Sequence, residues 1–188
     1  GSFKIAFASC SDYRVPNQSA FDAIAEELAL MFFHMGDFHY NDTDSTNPED
    51  YRENYDAVLN HPVQSALYRN VALAYMWDDH DYGKDDAGVE WALKGVAQEA
   101  FLDFFGVPEG SLRRAREGVY HSSLHGPEGR RLQVILLDTR FFRSDLKRVG
   151  WTKDRPPLGG YVPDGSPEKT VLGADQWAWL KAELAKPA

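Results

Sequence analysis

Three times in succession this chain runs through a short apolar stretch, stops at a polar turn, and passes into a helical pattern. The apolar stretches lie in residues 3–12 (FKIAFASCSD), 30–35 and 71–77. Their closing turns are Cys10-Ser11-Asp12, Gly36-Asp37 and Asp78-Asp79-His80. Residues 17–30 place Phe21, Ile24, Ala25 and Leu28 at helical spacing, with Asn17 or Ser19 as cap. Residues 48–70 read as helix interrupted near Pro62, and residues 89–106 as an amphipathic helix stopped by Gly106 and Pro108. Strands alternating with helices predict an α/β fold with a mainly parallel sheet and helices on its faces. The first strand is expected to be buried. In such sheets ligands bind beyond the carboxyl ends of the strands, so the three polar turns should converge on one edge.

The second half changes character. The segment EGVYHSSLHGPEGRRLQVILLDTRFFR predicts a hairpin about a Gly-Pro-Glu-Gly turn, its second strand ending at Asp138-Thr139-Arg140. Residues 148–169 form a long loop rich in Pro and Gly, of the kind that walls or covers a site. LGADQWAWLKAELAK predicts a final amphipathic helix. No linker divides the chain, and 188 residues suit a single domain, 1–188, with a sizeable core. A net charge of −9 argues against a nucleic-acid-binding surface, which needs clustered Lys and Arg. No run reaches the roughly 18–20 apolar residues of a membrane span, and no signal peptide is visible. The opening Gly-Ser leaves the natural start of the protein open.

The chemistry-bearing residues gather at the strand tips. Cys10 offers a thiol, Asp37 a carboxylate with the Tyr40 phenol three positions on, and Asp79-His80 a carboxylate-histidine pair. Hard cations take oxygen ligands, while thiolate and phenolate favour a transition metal. A carboxylate can bridge two metals, and a metal pair activates water for attack at phosphorus. The plainer readings stand beside these. A lone Cys10 suits a small buried hydrophobe, and aspartates after strands suit solvated turns, as expected of Asp81, Asp85 and Asp86. Asp78 is a second candidate for the place of Asp79. Arg140 either binds phosphate or pairs with Asp138. Cys10 lacks the arginine six positions on that a cysteine phosphatase requires, since position 16 is Pro16. The histidines His34, His39, His61, His121 and His125 read as core or surface residues.

The segments FASCSD, MGDFHYND, WDDHDYGKDDAG, REGVYHSSLHGPEGRRLQVILLDTRFFRSDL and LGADQWAWLKAEL together resemble the alkaline phosphatase D (PhoD-like) family of metallophosphatases, in order over almost the whole chain. The resemblance implies a calcineurin-like αββα sandwich that hydrolyses phosphate mono- or diesters at a two-metal centre. It implies Fe³⁺ and Ca²⁺, or another divalent cation such as Mg²⁺, Mn²⁺ or Zn²⁺, and a periplasmic or secreted location. Carried over residue by residue, it makes Cys10, Asp37, Tyr40 and Asp79 metal ligands, with Asp37 bridging. His80 contacts phosphate and protonates the leaving group, and Arg140 of the L-D-T-R motif binds phosphate or pairs with Asp138.

The family's pattern continues past the Q-x-x-W-L helix to further strands and a G-D-x-H type motif, whereas no histidine follows His125 here. The expectation is therefore the first half to two-thirds of the sandwich. One sheet face would be left open to association, and a non-catalytic metal-binding or interaction fragment is the alternative function.

Overall fold

A computed structural model describes residues 3–149 and 160–186. Three strands, β1 (Ile5–Ala8), β2 (Met31–His34) and β3 (Ala72–Tyr75), form a parallel sheet in the order β1-β2-β3. Pairing in register joins Ile5, Met31 and Ala72 at one end and Ala8, His34 and Tyr75 at the other. The crossovers contain α1 (Ser19–Glu26) and then α2 (Pro48–Leu59) with α3 (Pro62–Tyr68). After β3 come a single turn, α4 (Asp79–Tyr82), and α5 (Lys94–Phe104). The antiparallel hairpin is β4 (His121–His125) with β5 (Leu132–Leu136), and α6 (Gly173–Leu184) follows.

Strand alternation assigns the two faces of β2. Phe32, wholly buried, joins the main core with Tyr51, Tyr55, Val58 and Phe101 from the helices. Met31 and Phe33 point the other way and pack with Val134, Leu132 and Leu136 of the hairpin. On β5 the intervening Gln133 donates to the Glu183 carbonyl of α6 at 3.2 Å. Ser122 of β4 reaches the Glu183 carboxylate at 2.6 Å. Helices, sheet, hairpin and α6 are thus linked in sequence through contacts of alternate residues.

Each helix is shorter than its apolar pattern. α1 starts after Gln18 and has no side-chain cap, although Asn17 accepts from the Ser19 amide at 3.1 Å. Pro62 divides α2 from α3 by opening the second helix as its first residue, where the missing N–H costs nothing. β1 departs from expectation. It is an edge strand, and Phe7 is 61% exposed although it stacks on Phe33 at 4.9 Å. Phe3 and Met35 are also exposed. The loop over 148–169 is described only in part, residues 150–159 lying outside. Its flanks close on each other through Val149 N to Gly160 O (2.9 Å) and Val162 N to Lys147 O (3.0 Å). Among the described residues no helix is long and apolar enough to cross a membrane.

Candidate metal centre

Parallel pairing carries all three strand tips to one edge, and backbone hydrogen bonds lock two of them together. The Cys10 amide donates to Gly36 O at 3.1 Å and the Ser11 amide to Asp37 O at 3.0 Å. Cys10 and Asp37 both have positive φ, 58° and 53°. Left-handed backbone at two non-glycine residues is uncommon and gathers where a site demands it. Gly36, at φ 100°, lies so close to the third tip that a Cβ would come within 2.4 Å of the Asp78 Cβ.

Asp37, Asp78 and Asp79 bring carboxylate oxygens within 4.8 Å of one another. Asp37 and Asp79 are each 6% exposed. Burial raises the Asp37 carboxyl above its ordinary range, and the repulsion of Asp79 adds to this. Tyr40 donates to Asp37 Oδ2 at 3.0 Å, while Asp37 Oδ1 is buried with no hydrogen-bond partner among the described residues. Tyr40 itself is held far above the usual phenol value by burial, then by Cys10 and Asp37 beside it. An unpartnered oxygen among repelling carboxylates is the donor set a hard cation satisfies. The thiol and phenol beside it suit a transition metal. Cys10 is exposed, not the buried hydrophobe of the plainer reading. It borders the Tyr40 side of a 290 Å³ cavity and belongs to neither acidic group.

Arg140 closes the other side. Its Nε pairs with Asp78 Oδ1, and its Nη2 lies 3.0 Å from Asp79 Oδ1. Burial disfavours the guanidinium charge, but Asp78, Asp79 and Asp37 outweigh it and raise its pKa. Nη1 is buried and has no partner among the described residues. The pairing with Asp138 does not occur between side chains. The Asp138 carboxylate instead accepts the backbone N–H of Arg140 at 2.9 Å.

His80 sits on α4, and its Nδ1 is 2.5 Å from Asp42 Oδ1. Burial pulls its pKa down, yet Asp42, then Asp79 and Asp37, prevail and raise it. Its ring packs against Tyr40 with centroids 4.4 Å apart. Asp79, His80 and Asp85 form a second close group. Asp42 was not singled out from the sequence. Its signal is its place five residues after Asp37, on the same loop. Asp81 corrects the solvated-turn reading. It is 1% exposed and accepts the amides of Phe38 (2.8 Å), His39 (3.3 Å) and Asp78 (3.0 Å). It thereby ties the second tip to the third, at the cost of a pKa raised by burial to about 7. Asp85 is exposed as expected, and Asp86 half-buried.

Known proteins resemble this chain along most of its length. A curated relative, alkaline phosphatase D of Bacillus subtilis (strain 168), is 27% identical over 210 residues, covering 93% of this chain and 33% of the relative. A solved structure described as "Structure of PhoD" shares the fold, with a TM-score of 0.71 at 21% identity over 98% of this chain and 39% of that one. The chain therefore spans about a third of the length of the curated relative it matches. The family model of the PhoD-like phosphatase matches residues 5–188, and this chain belongs to that family.

Proposed function

We propose that the chain carries the phosphate-binding and metal-binding edge of a phosphoesterase whose fold is the calcineurin-like αββα sandwich. The observation that carries this reading is the Asp37–Asp78–Asp79 trio, with Asp37 Oδ1 buried and unpartnered and Arg140 set against it. Asp37, Asp79, Tyr40 and Cys10 would hold a metal pair, Fe³⁺ with Ca²⁺ or another divalent cation, and Asp78 borders it. When bound, such cations polarise the ester and acidify water.

The chain's own groups do the rest. The Arg140 Nη1, without a partner among the described residues, offers a charge-assisted hydrogen bond to a phosphoryl oxygen, and the bonds to Asp78 and Asp79 fix its plane. Asp42 orients the His80 ring and favours its protonated form, which can hand a proton to a departing alkoxide. Tyr161 hydrogen bonds Asp86, whose own amide bonds Asp79, which sets that end of the loop beside the third tip as a wall for substrate. By the same family reading, the protein works outside the cytoplasm.

Two measurements on the 188-residue chain test the proposal: metals per chain by elemental analysis, and turnover of chromogenic phosphate mono- and diesters. Stoichiometric metal with turnover supports it. Metal without turnover favours the alternative, a metal-binding fragment, and no metal defeats both. Iron-loaded protein should also show visible absorption that Tyr40→Phe shifts or weakens; an unchanged spectrum removes Tyr40 from the ligands.

A further inference from the structure

Of the LDTR motif the chemistry above uses only Arg140, and of the Q-x-x-W motif nothing, yet the two motifs meet at one buried residue. Asp138 is fully buried, and its carboxylate accepts four N–H groups. Oδ1 takes the Trp77 indole (2.9 Å) and the amides of Arg140 (2.9 Å) and Phe141 (3.0 Å). Oδ2 takes the Val119 amide (3.0 Å). The backbone of the same residue is clamped by Gln176 of α6, itself wholly buried. Asp138 N donates to Gln176 Oε1 at 2.8 Å, and Gln176 Nε2 donates to Asp138 O at 2.8 Å.

Trp77 immediately precedes Asp78 and Asp79, the carboxylates that hold the Arg140 guanidinium. One buried carboxylate therefore grips the arginine's own backbone and the base of the strand tip that its side chain reaches. We infer that Asp138 and Gln176 are positioning residues for Arg140, forming a buckle that sets the guanidinium against the acidic trio with Nη1 directed to phosphate. The inference rests on the reading of Arg140 as a phosphate ligand. An unpaired carboxylate at this depth carries a large desolvation penalty; burial raises the Asp138 pKa and the four donors oppose that rise, so the turn is favoured in the geometry that keeps all four in place. The Gln176 amide fits because one group supplies both an acceptor and a donor to the two sides of one peptide residue.

The test reads the arginine directly. The Nε–H signal of Arg140 in nitrogen–proton spectra is assigned by its loss in Arg140→Lys. Gln176→Leu should shift or broaden that signal while the amides of β1–β3 keep their positions. Inorganic phosphate should shift it in the unmodified chain and shift it less in the variant. An unchanged Arg140 signal in folded Gln176→Leu overturns the positioning role alone. A signal disturbed by Gln176→Leu but indifferent to phosphate overturns the phosphate reading, and the positioning role with it. If Gln176→Leu does not fold, native-state hydrogen exchange of the unmodified chain decides. The amides of Asp138, Arg140 and Phe141 should open together, with protection within about tenfold of each other. Exchange of Arg140 and Phe141 while Asp138 stays protected overturns the buckle.

Discussion

At the scale of single residues, two carboxylates do different work from similar positions. Asp37 is buried, repelled by Asp79 and left with a free oxygen. Asp37→Asn keeps the shape and removes the charge, so it should empty the site and abolish most turnover, as elemental analysis would show. Full metal content in that variant would contradict the assignment. Asp42 is exposed and pairs with the His80 ring. Asp42→Asn should leave metal content intact and slow turnover by about 10- to 100-fold, the usual effect of losing an orienting partner. His80→Ala should cost about 100-fold or more with metal retained. If Asp42→Asn were as active as the unmodified chain, the pair would be only a surface contact.

At the scale of elements, the strand tips matter more than the strands. Each strand has four residues, and the sheet exists to bring their ends together. Gly36 shows how tightly: a Cβ there meets the Asp78 side chain and, at 2.5 Å and 2.8 Å, the Asp78 N and Trp77 C of the backbone. Gly36→Ala should therefore destabilise by about 1–3 kcal/mol or more and also lower metal affinity. Asn47→Ala is the contrast. Asn47 caps α2 by accepting from Glu49 N at 3.3 Å, and its other bonds go to Ser45 and Asp50, not to a tip residue. Its loss should cost about 1 kcal/mol in unfolding experiments and nothing in metal content. A Gly36→Ala protein with normal stability would mean that the tips are not in contact.

The alternation of strand and helix, the break at Pro62 and the hairpin were legible in the sequence because period and turn residues are local signals. The convergence of the tips followed from parallel pairing. Three things were not legible. β1 reads as buried by composition, but its place at the sheet edge comes from strand order, which no local pattern records. Asp81 looks like its solvated neighbours, and only the fold supplies the three amides that bury it. Arg140 lies two residues from Asp138, which suggested a pair. The turn instead sends its side chain to Asp78, 62 positions earlier.

At the scale of the whole molecule, buried ionisable groups set the response to pH in opposite directions. Burial, with Arg113 beside it, pushes the His121 pKa down to about 4. The unfolded chain takes that proton near pH 6.5, so the stabilising contribution is complete above 6.5 and is lost as pH falls towards 4. Asp81, raised to about 7, does the reverse. The folded state keeps its proton where the unfolded chain has released it, so this group opposes the loss on acidification. The net slope of the unmodified chain therefore does not isolate either group, but a difference does. His121 lies on β4, on the hairpin layer and not at the strand tips. His121→Gln removes its titration and leaves Asp81 in place. The stability of this variant relative to the unmodified chain should rise on acidification from pH 6.5 to about 4. The change should approach about 1.4 kcal/mol per pH unit at most. Urea unfolding of both proteins at pH 7.5, 6 and 5 gives the difference directly. A constant gap across those three values would show that His121 titrates normally in the folded chain, and that the hairpin does not shield it from water.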